Sequence, residues 1–336
     1  MAYDEKPTVE SIRQITRYLQ DVWSKTHVKW EEIDSYYQQT FKLWPENLNR
    51  PEWLKPARSR SIVDHAVDHQ LAYEPIVHRF PATQTEVSQR RADEVEPALK
   101  AILDEASLFE PTMTWKQIGK HLLLYGYAVV EDALDSSCMT QRREKPRKGR
   151  NEPQDEFDRR VRVHKNAVKS MMPFRTRAPH PARVLLDPME KEPRMAVKHA
   201  YRRSIDLEEI TSTRMSGSRA KRGEVHPWKV SDNPFELVMV DEFWSECWHA
   251  MVADSELLFV EKNTWGFIPY SHAFSGYGQE VTSVEECDPS YLAVGILEPV
   301  MPALKAQAQA VAGRHNALME ATFNPTGTVM DASELE

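Results

Sequence analysis

The chain has 336 residues, 41% hydrophobic and 28% charged, enough for one large core or two ordinary ones and too balanced for a disordered or fibrous protein. No apolar run approaches the ~18 residues of a membrane span, and Cys138, Cys247 and Cys287 have neither disulfide-framework nor zinc-ligand spacing. The net charge of −8 is unevenly spread: residues 1–140 carry 16 Lys+Arg against 22 Asp+Glu, residues 141–229 carry 24 against 12, and residues 230–336 carry 3 against 17.

A basic middle between acidic ends marks either an anionic-partner surface or opposite blocks that neutralise each other, within one subunit or between neighbours. The acidic last third is not a generic DNA-binding surface. The start of the chain, Met1–Lys6, has no basic region followed by an apolar core, so no secretory signal is read there. A reducing cytoplasm is the expected setting.

In chain order, the first quarter reads helical. Val9, Ile12, Ile15, Leu19 and Val22 form one stripe, and Trp30, Ile33, Tyr37 and Phe41 a second. Pro45 and Pro51 make 44–56 a loop. Ser59 or Ser61 is expected to cap a helix carrying Ile62, Val63, Ala66, Val67 and Leu71, and Ile76–Phe80 reads as extended. Two helices follow, around Ala92–Ser107 and Thr114–Tyr125, the latter opened by a Thr114–Gln117 capping box and closed by Gly126 before the strand Tyr127–Glu131.

Residues 141–158 lack a hydrophobic period and form an exposed basic loop. A helix is predicted near Glu156–Met171, strands at Arg183–Leu186 and Met195–Tyr201, a short helix at Asp206–Met215, and a second loop over Ser216–Pro227. From Phe235 the period becomes two: Phe235–Phe243, Glu246–Val252 and Leu257–Glu261 read as an antiparallel meander, with a turn at Ala253-Asp254-Ser255. An Ala/Gln-rich helix, Ala303–Thr322, closes the pattern. Mixed helices with a segregated sheet give an α+β fold.

Signatures of catalysis are weak. His65 and His69 stand at i and i+4, a spacing that can bind metal, but Ala66 occupies the position where a zincin helix needs Glu, and a solvated pair is the better reading. No Gly-x-Ser-x-Gly, Walker A or Gly-x-Gly-x-x-Gly sequence is present; Phe274–Gly278 reads as a structural turn. No cofactor or metal is expected. The basic run Arg142, Arg143, Lys145, Arg147, Lys148 and Arg150 suits either phosphate contact or a solvated face. In the last helix, Leu304, Ala308, Val311, His315 and Leu318 recur at spacings of four and three, a narrow seam for a neighbouring helix or for its own sheet, beside small residues Ala306, Ala310, Ala312 and Gly313 that permit close approach.

The order of these segments resembles the portal (connector) proteins of tailed double-stranded DNA bacteriophages. Asn49-Arg50-Pro51-Glu52-Trp53 with Arg60–Asp68 is similar to the segment near the start of that family, and Leu122–Val130 to its helix-Gly-strand unit. Val184–Pro188, Val238–Trp244, Glu261-Lys262-Asn263, Gly266–Tyr270 and the terminal helix continue the order. The similarity is diffuse, covers roughly residues 30–325, and rests on shared order, since no single motif is diagnostic.

The resemblance implies a non-enzymatic virion subunit in a dodecameric ring at one capsid vertex, assembled in the host cytoplasm, with double-stranded DNA passing through during packaging and ejection. Terminase, capsid and tail adaptor proteins would dock on it. Residues 1–290 would form the wing-like body, 291–322 a stem-type helical segment, and 323–336 the start of a clip-like segment or a tail. Lys305 and Arg314 become candidates for contact with DNA in the channel or with a neighbouring subunit. The family continues beyond this point with a second stem helix and a crown, so an incomplete chain is expected. The alternative is a DNA-binding or nucleic-acid-processing protein using the basic region 141–229; another virion structural protein, such as an adaptor, is the third reading.

Overall fold

The computed structural model describes residues 5–45, 55, 58–71, 85–107, 114–134, 153–169, 174–188, 190, 192–216, 223–279 and 288–323. Thr8 opens the first helix, α1 (Val9–Tyr37): its hydroxyl accepts from the Ser11 amide at 3.2 Å, and the Ser11 hydroxyl accepts from the Thr8 amide at 2.8 Å. This reciprocal cap satisfies amides that a helix start leaves orphaned. Ile12, Thr16, Leu19, Trp23, Thr26, Trp30 and Ile33, spaced by four and three, are all buried. The two predicted stripes are therefore one, joined through Trp23 and Thr26. The helix stops at Gln38, and Gln39 turns the chain in left-handed backbone at φ 62°.

Two indoles fasten α1 to the rest of the body. Trp23 Nε1 donates to the Leu186 carbonyl at 2.8 Å, and Trp30 Nε1 donates to the Tyr125 carbonyl at 3.0 Å. Three helices follow, α2 (Arg58–Leu71), α3 (Glu86–Ser107) and α4 (Thr114–Tyr125). Ser59 is not the cap of α2: it lies inside the helix, buried, and its hydroxyl donates to the Tyr36 carbonyl at 2.6 Å. The Thr114 hydroxyl is likewise drawn away from a capping box, donating to the Thr176 carbonyl at 3.0 Å, while Gln117 meets His121 at 2.9 Å. Tertiary partners outcompeted local caps at both sites. Helix α3 starts earlier than predicted and holds Pro97 within it; Ile76–Phe80 lies outside the described residues.

Gly126 leads into β1 (Tyr127–Leu134), the centre of a three-stranded antiparallel sheet between β2 (Phe174–Arg177) and β9 (Tyr270–Phe274). Helix α5 (Gln154–Lys169) begins inside the segment 141–158 expected to be loop, with Asp155 and Glu156 in its first turn, where the helix dipole favours acids. The larger sheet is antiparallel, in the order β3 (Val184–Leu186), β4 (Met195–Arg203), β6 (Leu237–Ser245), β7 (Trp248–Ala253), β8 (Glu256–Lys262), β5 (Gly223–Val225). Strand β5 corrects the loop predicted over Ser216–Pro227: it pairs with β8, with Val225 opposite Phe259. Asp254 and Ser255, at φ 42° and 84°, make the tight turn of the β7–β8 hairpin. The fold is α+β.

Helix α6 (Ser204–Ser216) covers one face of the larger sheet, where Leu207 packs with Val238, Val240, Met251 and Phe259. The principal core includes α1, Leu186, Val197, Phe243, Val252 and Val260. It also takes in Ala293, Leu297 and the buried side of α7 (Met301–Phe323). Residues on both sides of the expected 290/291 boundary share this core.

Candidate functional site

Helix α7 grows out of a short 3-10 turn, Glu298–Val300, in which the Leu297 carbonyl accepts the amides of Val300 and Met301 at 3.0 and 2.9 Å. Pro302 sits in the first helical turn, where a missing amide costs no internal bond. Met301, Ala308 and Ala312 are buried in the core, Leu304 packs beside them, and Gln309 Nε2 donates to the Leu43 carbonyl at 2.6 Å. The predicted seam is thus divided. Leu304 and Ala308 serve the chain's own core, His315 is half-buried, and Val311 and Leu318 are 36% and 65% exposed. The buried stripe advances from Ala308 to Ala312, carrying Val311 onto the flank of the helix.

Lys305 and Arg314 are exposed and have no ion partner among the described residues. The basic run Arg142, Arg143, Lys145, Arg147, Lys148 and Arg150 lies outside the described residues, as does the clip-like segment beyond Phe323. Nothing lies within 4 Å of the position a Cβ would take on Gly313. Gly313→Ala is expected to stabilise the fold by roughly 0.5–1 kcal/mol through helix propensity. The rise in Tm measures it. A simultaneous loss of assembly would show that a neighbour approaches closely at this glycine.

A second uncovered surface was not anticipated. Along β6, Leu237 and Met239 are exposed while Val238 and Val240 are buried, because α6 covers only one face there. On the other face α1 crosses further along, where Gln20 Nε2 lies 3.3 Å from His199 Nε2. Tyr201 of β4 pairs in register with Met239 and is 67% exposed. The alternation across Leu237–Val240 was the available signal, but the pattern alone does not say which strand end lacks a covering helix.

The interior holds a row of charges that sequence reasoning also missed. Lys198 Nζ donates to both oxygens of Glu131, at 2.6 and 2.7 Å. Beside this pair, His249 places Nε2 at 3.1 Å from Glu242 and Nδ1 at 3.2 Å from Glu261, and Arg214 donates to Glu261. Trp244 stacks on His249 with ring centroids 3.6 Å apart, Trp265 stacks on Trp244, and the Arg214 guanidinium covers Phe259. Burial pushes both carboxyls up, but the bonds from His249 and the neighbouring positive charge outweigh it and hold Glu242 and Glu261 at about 2.

A smaller cluster joins α1, α4 and the 3-10 turn Pro181–Arg183. The His180 Nδ1 accepts from the Ala182 amide at 3.2 Å, which leaves the proton on Nε2, 3.0 Å from the Tyr125 oxygen. Tyr125 donates to Asp34 at 2.5 Å. Burial raises the Asp34 carboxyl, the bonds from His180 and Tyr125 overcome that, and the net shift is downward; burial pushes the Tyr125 phenol far up. In both clusters the polar groups answer one another, which ties elements together and leaves the Tyr125 phenol unsuited to act as a nucleophile.

His65 and His69 are exposed on α2, and the adjacent carboxylates turn elsewhere: Asp64 accepts from Tyr37 at 2.7 Å and Asp68 from Lys116 at 2.8 Å. No group of three or more His, Cys, Asp or Glu among the described residues is arranged to hold a metal ion. The Phe274–Gly278 loop is a built turn, with Ser275 Oγ donating to the Val294 carbonyl at 2.8 Å and Gly276 at φ 80°. None of the described helices is long and apolar enough to cross a membrane. Compared with known proteins, the chain matches no family model and no curated protein.

Proposed function

We propose that this chain is a structural, non-enzymatic subunit of a bacteriophage portal ring, a conduit for double-stranded DNA that docks terminase and tail adaptor proteins at the capsid vertex. The observation that carries the reading is the flank of α7. The α+β body carries a helix that leaves Val311 and Leu318 exposed on one side with Arg314, a cation with no ion partner among the described residues, a surface suited to a second copy of the chain. The order of segments shared with the portal family supports it.

Electrostatics is consistent with a conduit. Arg214 pairs with Glu261, Lys25 with Asp288 and Lys29 with Glu298, so cations of the first two thirds are neutralised by acids of the last third inside one subunit. A channel that must pass DNA benefits from few strong phosphate contacts, since each one adds affinity that slows translocation. Single-particle imaging of the chain at graded concentrations is expected to show rings with a central hole. A monomer that binds short duplex DNA with steep salt dependence, lost on neutralising Arg142–Arg150, would overturn the reading in favour of a DNA-binding protein.

A further inference from the structure

Two of the exposed apolar surfaces on the described body carry unpaired charges of opposite sign, Arg203 beside Leu237 being paired with Asp206. On the sheet, Tyr201, Leu237 and Met239 lie uncovered; Asp254 sits at their edge, its amide donating to the Met239 carbonyl at 3.4 Å, and Glu236 adjoins Leu237. Both acids are exposed and have no ion partner among the described residues. On α7, Val311 and Leu318 flank Arg314, all three falling on one side of the helix at spacings of three and four. Arg314, too, has no ion partner among the described residues.

We infer that these two surfaces are the halves of one contact between copies of this chain: the Val311–Arg314–Leu318 flank of one subunit lies on the Tyr201–Leu237–Met239 face of the next, with Arg314 against Asp254. The inference rests on the ring reading and gives it a location. Charge selects this pairing over the alternatives. A two-fold contact of α7 with α7 sets Arg314 near its own copy, and a two-fold contact of sheet with sheet sets Asp254 near its own copy; both are repulsive. The crossed pairing is attractive and joins different surfaces, so it is heterologous, the geometry that propagates head to tail and closes into a ring when the rotation permits. The acidic edge also disfavours duplex DNA as the occupant of the sheet face.

The test is a charge exchange in the full chain, read by sedimentation velocity over a concentration series. Arg314→Glu and Asp254→Lys are each expected to weaken self-association by at least about tenfold, and the double variant to restore it to within about threefold of wild type. Asp254→Asn, which keeps a residue tolerant of the left-handed backbone, gives a smaller loss. Melting curves of Arg314→Glu and Asp254→Asn should match wild type, since both side chains are exposed, while Asp254→Lys should melt slightly lower because its backbone is left-handed. As a second readout, Asp254→Cys with Arg314→Cys on one chain, in a background with Cys138, Cys247 and Cys287 replaced by Ser, should give a ladder of cross-linked oligomers, while either cysteine alone gives none. Rings that persist in both single charge variants, or cross-linking by a single cysteine, would overturn this contact and leave the ring reading standing. A wild-type chain that stays monomeric at every concentration would overturn both.

Discussion

Gly126→Ala is expected to destabilise the fold by about 3 kcal/mol or more, far beyond the effect of the same change at Gly266. Both glycines have φ of 70°, so both variants incur the left-handed cost of roughly 1 kcal/mol. They differ in surroundings. A Cβ on Gly126 would lie 2.1 Å from the Val294 amide nitrogen, whereas a Cβ on Gly266 has nothing within 4 Å. Gly295 repeats the close approach from the other side, its Cβ position being 1.9 Å from the Leu124 carbonyl oxygen. Backbone cannot rotate away as a side chain can. Separating the segments would break the bond from the Ile296 amide to the Leu123 carbonyl, 2.8 Å long, and open the packing around Leu124 and Leu297. Denaturant midpoints of the two variants measure the contrast; equal losses would show that the contact between 293–296 and the α4–β1 junction yields easily. The same lock positions α7, so Gly126→Ala should also lower assembly, and Gly266→Ala should not.

This junction shows how far the sequence could be read. The helix-Gly-strand unit was legible, because Leu122–Tyr125 changes period at a glycine. That Gly126 needs its missing Cβ for a segment near Val294, far away in the chain, has no local signature. The same division applies elsewhere. The β6–β8 meander and its Asp254–Ser255 turn follow from alternation and turn chemistry, as does α1 from its stripe. Caps at Ser59 and Thr114 were misread because their hydroxyls found the carbonyls of Tyr36 and Thr176, partners that only tertiary structure supplies. The four-and-three spacing on α7 was a true helical pattern, yet spacing cannot assign Ala308 to the subunit's own core and Val311 to its surface. The charge row from Lys198 to Glu261 was hidden for a related reason: its members sit on different strands, and only the register, Lys198 opposite Glu242 and His249 opposite Glu261, brings them together.

His249→Ala is expected to cost about 3 kcal/mol at neutral pH, because it strips the shared partner from two largely covered carboxylates and leaves only Arg214 on Glu261. His249 spans Glu242 and Glu261 with its two ring nitrogens, at 3.1 and 3.2 Å. Acid should attack the wild-type fold in two stages. Burial lowers His27 to about 4 and His121 to about 3 from the ordinary 6.5. Their neutral forms belong to the folded state, so stability begins to fall once the pH drops below 6.5, where the unfolded chain takes up those protons. Glu242 and Glu261 are held at about 2 against an ordinary 4.5, so the stabilisation they provide is complete above 4.5 and is lost as the pH descends toward 2. Denaturant midpoints between pH 8 and pH 3 should decline below 6.5 and steepen below 4.5. His121→Gln should flatten the upper stage while leaving the lower one, because the buried His121 ring packs between Gln117 and His180 and is bonded to neither Glu242 nor Glu261. A midpoint that stays level from pH 8 to pH 5 would show that the buried imidazoles reach water in the folded subunit, and an unchanged midpoint in His249→Ala would show that the two carboxylates relax apart without it.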